Sequence, residues 1–267
     1  MRRPLPLLLV AALLSTAPAL AADTPSPAAS HPVKIKAKDS KSSSDSGSLL
    51  APDTDNIDAP TTAVLDYGGY AARSRFFSNG GVLQYVNFGV FQSLNIGASL
   101  TMDGIIGNER TVRLRAPSVQ VKYRFYDGDR WVPSFAVGFD GQGYNYNSID
   151  HRYNNRQRGF YVVASEELGV PGLMIHPSVN ISDFDTNAFF GSIPLSYNIL
   201  DKVEPMVEWD NINNWMDSRF NAGLRGYLTP HFNIDFAVRG IGQGGRYANG
   251  DRRGPERIVQ LRYSANF

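Results

Sequence analysis

The chain has 267 residues, 42% of them hydrophobic and 19% charged, with no Cys and 26 basic against 25 acidic side chains. So even a balance offers no clustered basic face for nucleic acid. The absence of Cys excludes disulfide scaffolds, thiolate zinc sites, thiol nucleophiles and a lipidated N-terminal Cys. No run of about 18 apolar residues follows the N-terminal leader, which excludes a helical membrane span.

Residues 1–21 read as a secretory signal: Arg2 and Arg3 form a basic start, Leu5 to Leu14 a short apolar core, and Ala19-Leu20-Ala21 a small-x-small cleavage pattern. That apolar core is too short to span ~30 Å of hydrocarbon. Arg2 and Arg3 are two of the 26 bases, so behind the leader the 25 acids exceed the bases by one. Residues 22–61 are rich in Ser, Asp, Pro, Ala and Lys, carry KDSKSSSDSG at 38–47 and contain no aromatic residue. They bury too little apolar surface to offset their ordering entropy and are expected to form a disordered tether. Lys34, Lys36 and Lys38 are placed to touch anionic lipid or polysaccharide, or simply to solvate the tail.

From residue 62 to 267 the pattern becomes regular, with apolar and polar residues alternating over stretches of about ten. In 94–103, Leu94, Ile96, Ala98, Leu100 and Met102 alternate with Asn95, Gly97, Ser99, Thr101 and Asp103. The same period recurs in 119–126, 203–210 and 232–239. Soluble sandwiches alternate too, but these strands are roughly twice the globular mean in length. Their polar faces carry full charges, as a lumen requires. The chain ends on Val259, Leu261, Tyr263, Ala265 and Phe267, which resembles the terminal strand signal of bacterial outer-membrane barrels, with Tyr263 and Phe267 as the assembly signal.

Strands are predicted near 67–77, 82–92, 94–103, 116–127, 131–141, 158–168, 173–182, 188–199, 203–210, 217–228, 232–240 and 257–267. The connections alternate between tight turns and longer loops such as 104–115, 142–157 and 241–256, as short periplasmic turns and long external loops do. The expected fold is all-β: a transmembrane antiparallel β-barrel of about 12 strands, both termini periplasmic. A ten-strand count stays open because the first strand is the least regular.

With the apolar face outward, the lumen receives Asp103, Asp140, Glu204, Glu208, Asp210 and Asp235, and Lys122, Arg124, Arg219, Arg225, Arg239 and Arg262. A balanced set of this kind favours cross-bracing ion pairs over a strongly selective pore. Glu204, Glu208 and Asp210 share one strand face, repel one another, and are expected to pair with Arg219 and Arg225.

Catalysis finds little support. His176-Pro177-Ser178 with Asn180 resembles the dyad and orienting residue of outer membrane phospholipase A, but in that family these face lipid. Here Leu173, Ile175, Val179 and Ile181 claim the outer face and turn the polar set inward. Asp150-His151, an adjacent pair in an Asn-rich loop, lacks the fixed geometry an omptin-type protease needs. Gly242-Gln243-Gly244-Gly245 is followed by no helix and reads as a flexible loop. No cofactor or metal is expected. In the long loops, Tyr144, Tyr146, Tyr153, Arg152 and Tyr247 are candidate glycan contacts, or members of an interfacial aromatic girdle.

The blocks PSFAVGFDGQGYNYN (133–147), RGFYVVASEELG (158–169), VEPMVEWDN (203–211) and RFNAGLRGYLTPHFNIDFAVRGIG (219–242) resemble the YjbH family of outer-membrane barrels. The resemblance covers about 110 residues and implies an association with exopolysaccharide production or secretion, without catalysis. The chain departs from that family in lacking a lipobox Cys and in its short length. The expected function is a non-enzymatic outer-membrane barrel in envelope or exopolysaccharide export or contact. The alternatives are a narrow passive channel for small solutes and, weakly, an outer-membrane hydrolase. Expected partners are outer-membrane lipid, the barrel-assembly machinery and polysaccharide, with no nucleic acid.

Overall fold

The computed structural model describes residues 50–267 except 79, 108–111, 148–150, 183–188, 214–217, 245 and 247–252. The strands among them are β1 (Gly69–Phe77), β2 (Gly81–Phe91), β3 (Leu94–Asp103), β4 (Arg113–Leu114), β5 (Ser118–Tyr126), β6 (Ser134–Asp140), β7 (Tyr144–Asn147) and β8 (Arg152–Asn155). They continue with β9 (Gly159–Glu167), β10 (Leu173–Ile175), β11 (Ser178–Ile181), β12 (Phe189–Tyr197), β13 (Val203–Asp210), β14 (Arg219–Thr229), β15 (Phe232–Ile241) and β16 (Glu256–Asn266).

Consecutive wall strands pair antiparallel all the way round, and β16 returns to β1 in register from Gly69↔Asn266 to Phe76↔Val259. Closure leaves no edge strand in the ring itself, the condition for a sheet to cross hydrocarbon. The ring has twelve staves, because β10 and β11 form one: both pair with β9 on one side and β12 on the other. Where the pattern predicts one strand over 173–182, the stave breaks at His176-Pro177. Proline has no N–H to give the ladder. The neighbouring carbonyls still serve, with Ala164 N donating to Pro177 O at 3.0 Å and His176 N to Pro194 O at 3.0 Å. Two further elements lie off the ring: β4 pairs with β3, and β7 with β8 as a separate hairpin inside what the sequence presents as the loop 142–157.

Period-two alternation sets the two faces. Val119, Val121, Tyr123, Phe125, Val162, Val207, Leu224 and Phe236 are exposed on the outside of the ring. Lys122, Glu204, Glu208, Asp210, Arg225, Asp235, Arg239 and Arg262 are buried inside it. An apolar belt of this extent is costly in water and suited to hydrocarbon. One rim, the turn rim, carries the tight connections and the start and end of the ring. There Phe267 N donates to Gly68 O at 3.0 Å, and the Phe267 ring lies 4.9 Å from Tyr70 and 6.4 Å from Phe88.

The residues before β1 correct the sequence expectation. Of the predicted disordered tether 22–61, residues 50–61 are placed inside the barrel, as part of a re-entrant segment spanning 50–66. It enters at the turn rim, where Ala51 N donates to Pro230 O at 3.1 Å. It reverses in a tight loop closed by the Asp55↔Pro60 bridge and by Asn56 N to Ala59 O at 2.9 Å. It returns to the same rim, where Leu65 N meets Asn95 Oδ1 at 3.1 Å. Gly89 of β2 makes the exit feasible, since a Cβ there would sit 1.9 Å from Asp66 O. Composition rightly shows that the segment cannot form a core of its own; the wall supplies one. Ile57 packs with Phe77, Leu83, Tyr85, Met206, Ala237 and Ile258. Residues 1–49, with the predicted leader and Lys34, Lys36 and Lys38, lie outside the described residues.

Candidate functional site

The lumen is built around the re-entrant loop 53–60. Glu208 of β13 is fully buried and accepts hydrogen bonds from three successive backbone amides: Ile57 N at 2.7 Å, Asp58 N at 2.9 Å and Ala59 N at 2.9 Å. Such a run of aligned N–H groups forms an anion-binding nest, and here the anion belongs to the wall. Asn221 Nδ2 donates to the second carboxylate oxygen at 2.9 Å.

Three carboxylates of the loop meet arginines of the wall. Asp53 lies 2.7 Å from Arg225 Nη1. Asp55 pairs with Arg73 of β1 and, at 2.7 Å, with Arg262 Nη1 of β16. Asp58 lies 2.5 Å from Arg75 Nη1 and 3.4 Å from Arg239 Nη1. The loop's carbonyls are used as well. Arg225 Nη2 donates to Asp55 O and Asn56 O, both at 3.1 Å, Arg158 Nη2 to Asp58 O at 3.2 Å, and Lys122 Nζ to Thr54 O. Burial lifts the Asp53 carboxyl to about 6 against the pull of Arg225, with neighbouring Glu204 adding to the rise. At Asp58 burial also pushes upward, but Arg239, Arg75 and Arg219 outweigh it and hold the carboxyl well below the usual carboxylate range.

The other end of the lumen is narrowed by the hairpin β7–β8. Gly141 to Gly143 bring the chain inward, and buried Gln142 bonds Ser99 Oγ at 2.7 Å and Thr101 Oγ1 at 3.0 Å. Tyr144 then reaches the centre. Arg75 Nη1 donates to its hydroxyl at 2.5 Å, and the Arg239 guanidinium lies 4.0 Å from its ring centroid. Arg75 and Arg239 thus hold the loop 53–60 from one side and the hairpin from the other. Between the two, a cavity of about 70 Å³ remains, lined in part by Asp55, Asp58, Arg73, Asp140 and Tyr161. That is room for a few waters and too little for a hydrated solute.

The sequence-derived lumen residues fall as follows. Arg225 bridges Glu204 at 2.9 Å and Asp235 at 2.8 Å, and Arg262 reaches Asp235 at 2.8 Å. Arg219 pairs with Asp210 at 2.7 Å, and Arg239 with Glu256. Asp140 accepts from Gln142 N at 2.9 Å, and Lys122 serves the loop's carbonyls. Arg124 and Asp103 sit towards the rims, paired with Asp127 at 2.7 Å and Arg115 at 2.6 Å. Of the three acids expected to take Arg partners, Glu204 and Asp210 have them. Glu208 instead serves backbone amides, because the inserted loop brings donors that strand patterning does not show.

His176, Ser178 and Asn180 are buried in the interior. His176 Nδ1 lies 2.7 Å from Ser165 Oγ, while Ser178 Oγ pairs with Ser192 Oγ at 2.6 Å, so the two form no couple. Among the loop tyrosines, Tyr146 and Tyr153 pack edge to face at 5.3 Å, with Arg115 over Tyr146 at 4.6 Å. Arg152 lies in β8; Asp150 and Tyr247 lie outside the described residues. Sequence reasoning missed Arg73, Arg75, Arg158 and the loop acids Asp53, Asp55 and Asp58. The signal was present: Arg73 and Arg75 are one period apart on the first strand, and Asp53, Asp55 and Asp58 lie in a stretch bounded by Pro52 and Pro60.

No protein-family model matches the chain, and no curated protein does. Solved structures similar to it include the KdgM porin, at 11% identity and a TM-score of 0.48, covering 74% of this chain and 99% of that one. The KdgM porin in complex with disordered oligogalacturonate gives 12% identity and a TM-score of 0.49, with the same coverage. The NanC porin gives 12% identity and a TM-score of 0.39, again covering 74% and 99%.

Proposed function

We propose that this protein is a non-enzymatic outer-membrane barrel that forms a narrow passive channel for small solutes, closed by its own segment 50–66 in the described conformation. On this reading the turn rim and both termini face the periplasm, lipid covers the apolar belt, and the barrel-assembly machinery reads Tyr263 and Phe267. The observation that carries the proposal is the identity of the material filling the lumen. An eight-strand barrel is filled by its wall side chains, and 16 to 18 strands leave open water. Twelve staves leave an intermediate bore, and here it is occupied by a separate re-entrant loop and an infolded hairpin. The polysaccharide role implied by the YjbH resemblance is the less favoured reading, because Tyr144 is committed to Arg75 and Arg239 inside the lumen.

The test uses the absence of native Cys. The refolded full chain is expected to show rare discrete openings in planar bilayers and to speed the swelling of liposomes in glucose. In the double variant Ile57→Cys, Ala237→Cys, joining the thiols with a short cross-linker should stop both, and releasing them should restore both. Folded protein that neither conducts nor speeds swelling, with thiols joined or free, would overturn the reading.

A further inference from the structure

The arginines touching the loop differ in what they keep if it leaves. Arg225 retains Glu204 and Asp235, Arg262 retains Asp235, and Arg239 retains Glu256. Arg73 and Arg75 retain no carboxylate: among the described residues their ion-pair partners are Asp55 and Asp58 of the loop alone. What remains in direct contact is neutral: the Tyr85 ring 3.7 Å from Arg73, and for Arg75 the Gln260 Oε1 at 2.8 Å and the Tyr144 hydroxyl; Asp140 of β6 shares the cavity with Arg73 without pairing to it. These contacts come from β2, β16 and the β7–β8 pair and not from the loop. A buried guanidinium without a counter-charge is costly, so a vacated lumen holds a fixed, unneutralised pair of arginines flanked by Arg239 and Arg262.

We propose that Arg73 and Arg75, with Arg239 and Arg262, form a lumen binding site for small organic anions carrying two or more carboxylates, and that Asp55 and Asp58 are its resident internal occupant. The loop is then an exchangeable stand-in for solute. Its two carboxylates take the positions that solute carboxylates occupy, and planar guanidinium groups suit carboxylates in particular. The inference rests on the channel reading and adds to it a substrate class and a regulator.

The test is bilayer recording of the full chain in asymmetric KCl, with folding checked by heat-modifiable migration. Asp55→Asn with Asp58→Asn should raise the open probability. The open state should prefer chloride to potassium by a permeability ratio on the order of 10, as a charged, low-dielectric passage focuses counter-ions. Citrate should block that current, and adding Arg73→Gln and Arg75→Gln should remove both the preference and the block while conductance persists. Ile57→Ser, which takes away the apolar anchor and leaves every carboxylate, is the second route to opening and should show the same selectivity. Current without anion preference, or citrate block indifferent to Arg73 and Arg75, overturns the site and leaves the channel standing. Opening no more frequent than in the parent chain overturns the loop's role as occupant. No current from any folded variant overturns the channel reading and this inference together.

Discussion

At the scale of single residues, the lumen is governed by which charges have a partner on the wall and which depend on the inserted loop. Asp53 gives a pH-dependent readout of that dependence. Seated, it faces Arg225, Glu204, the Tyr227 hydroxyl and, farther off, Arg262, and its carboxyl rises from an ordinary 3.8 to about 6. A raised carboxyl binds its proton more tightly seated than free, so its contribution to seating is complete at low pH and is lost as pH rises from about 4 to about 6. Asp58 has the opposite sign, being lowered, and its contribution is lost only as pH falls below the ordinary 3.8. The part of the open probability that Asp53 controls should therefore climb between about pH 4 and about pH 6, and Asp53→Asn should remove that rise. A profile unchanged by the substitution would show that Asp53 does not report seating. The sequence reveals the wall residues that alternate on regular strands and misses Arg73 and Arg75. Ala71 and Ala72 beside them blur the contrast between the two faces on which a period-two reading depends.

Strands and turns were the most legible level. Alternation places all twelve staves, because burying one face and exposing the other to lipid leaves little freedom of register. The misplaced features are the ones that backbone chemistry decides. Pro177 splits a stave, and Tyr144–Asn147 pairs with Arg152–Asn155 although their composition reads as loop. The turn between β12 and β13 is a further case. Leu200 and Asp201 both take positive φ, 54° and 55°, as a two-residue turn matched to strand twist demands. Leu200 is 83% exposed, so its side chain gains little there. Leu200→Gly should stabilise the barrel by about 1 kcal/mol by removing left-handed strain, read as a higher midpoint for loss of heat-modifiable migration. A lower midpoint would mean that the Leu side chain contributes packing that outweighs the strain.

For the molecule as a whole, the fold follows from closure, and closure depends on β16 meeting β1. Phe267 ends that seam against Tyr70 and Phe88. Its deletion is expected to slow assembly without altering the final register; unchanged rates of appearance of the heat-modifiable form would count against a role in assembly. The ring was readable in advance because its rule is local and repeats, whereas the lumen's occupant was not. Residues 50–66 obey no period, and their partners lie up to 207 positions away, as in Arg262 with Asp55.

The path of that segment carries a last consequence. It enters and leaves at one rim, with Ala51 beside Pro230 and Leu65 beside Asn95. Withdrawal requires no free end to be threaded through the bore and no rung of the wall ladder to break; the loop backs out along the path it took in. On the channel reading, emptying the lumen is then a local excursion whose free-energy cost is set by the contacts of residues 53–65 with the wall. On that reading, local substitution in this segment shifts the balance between open and shut while the strand pairing of the wall is left as it is.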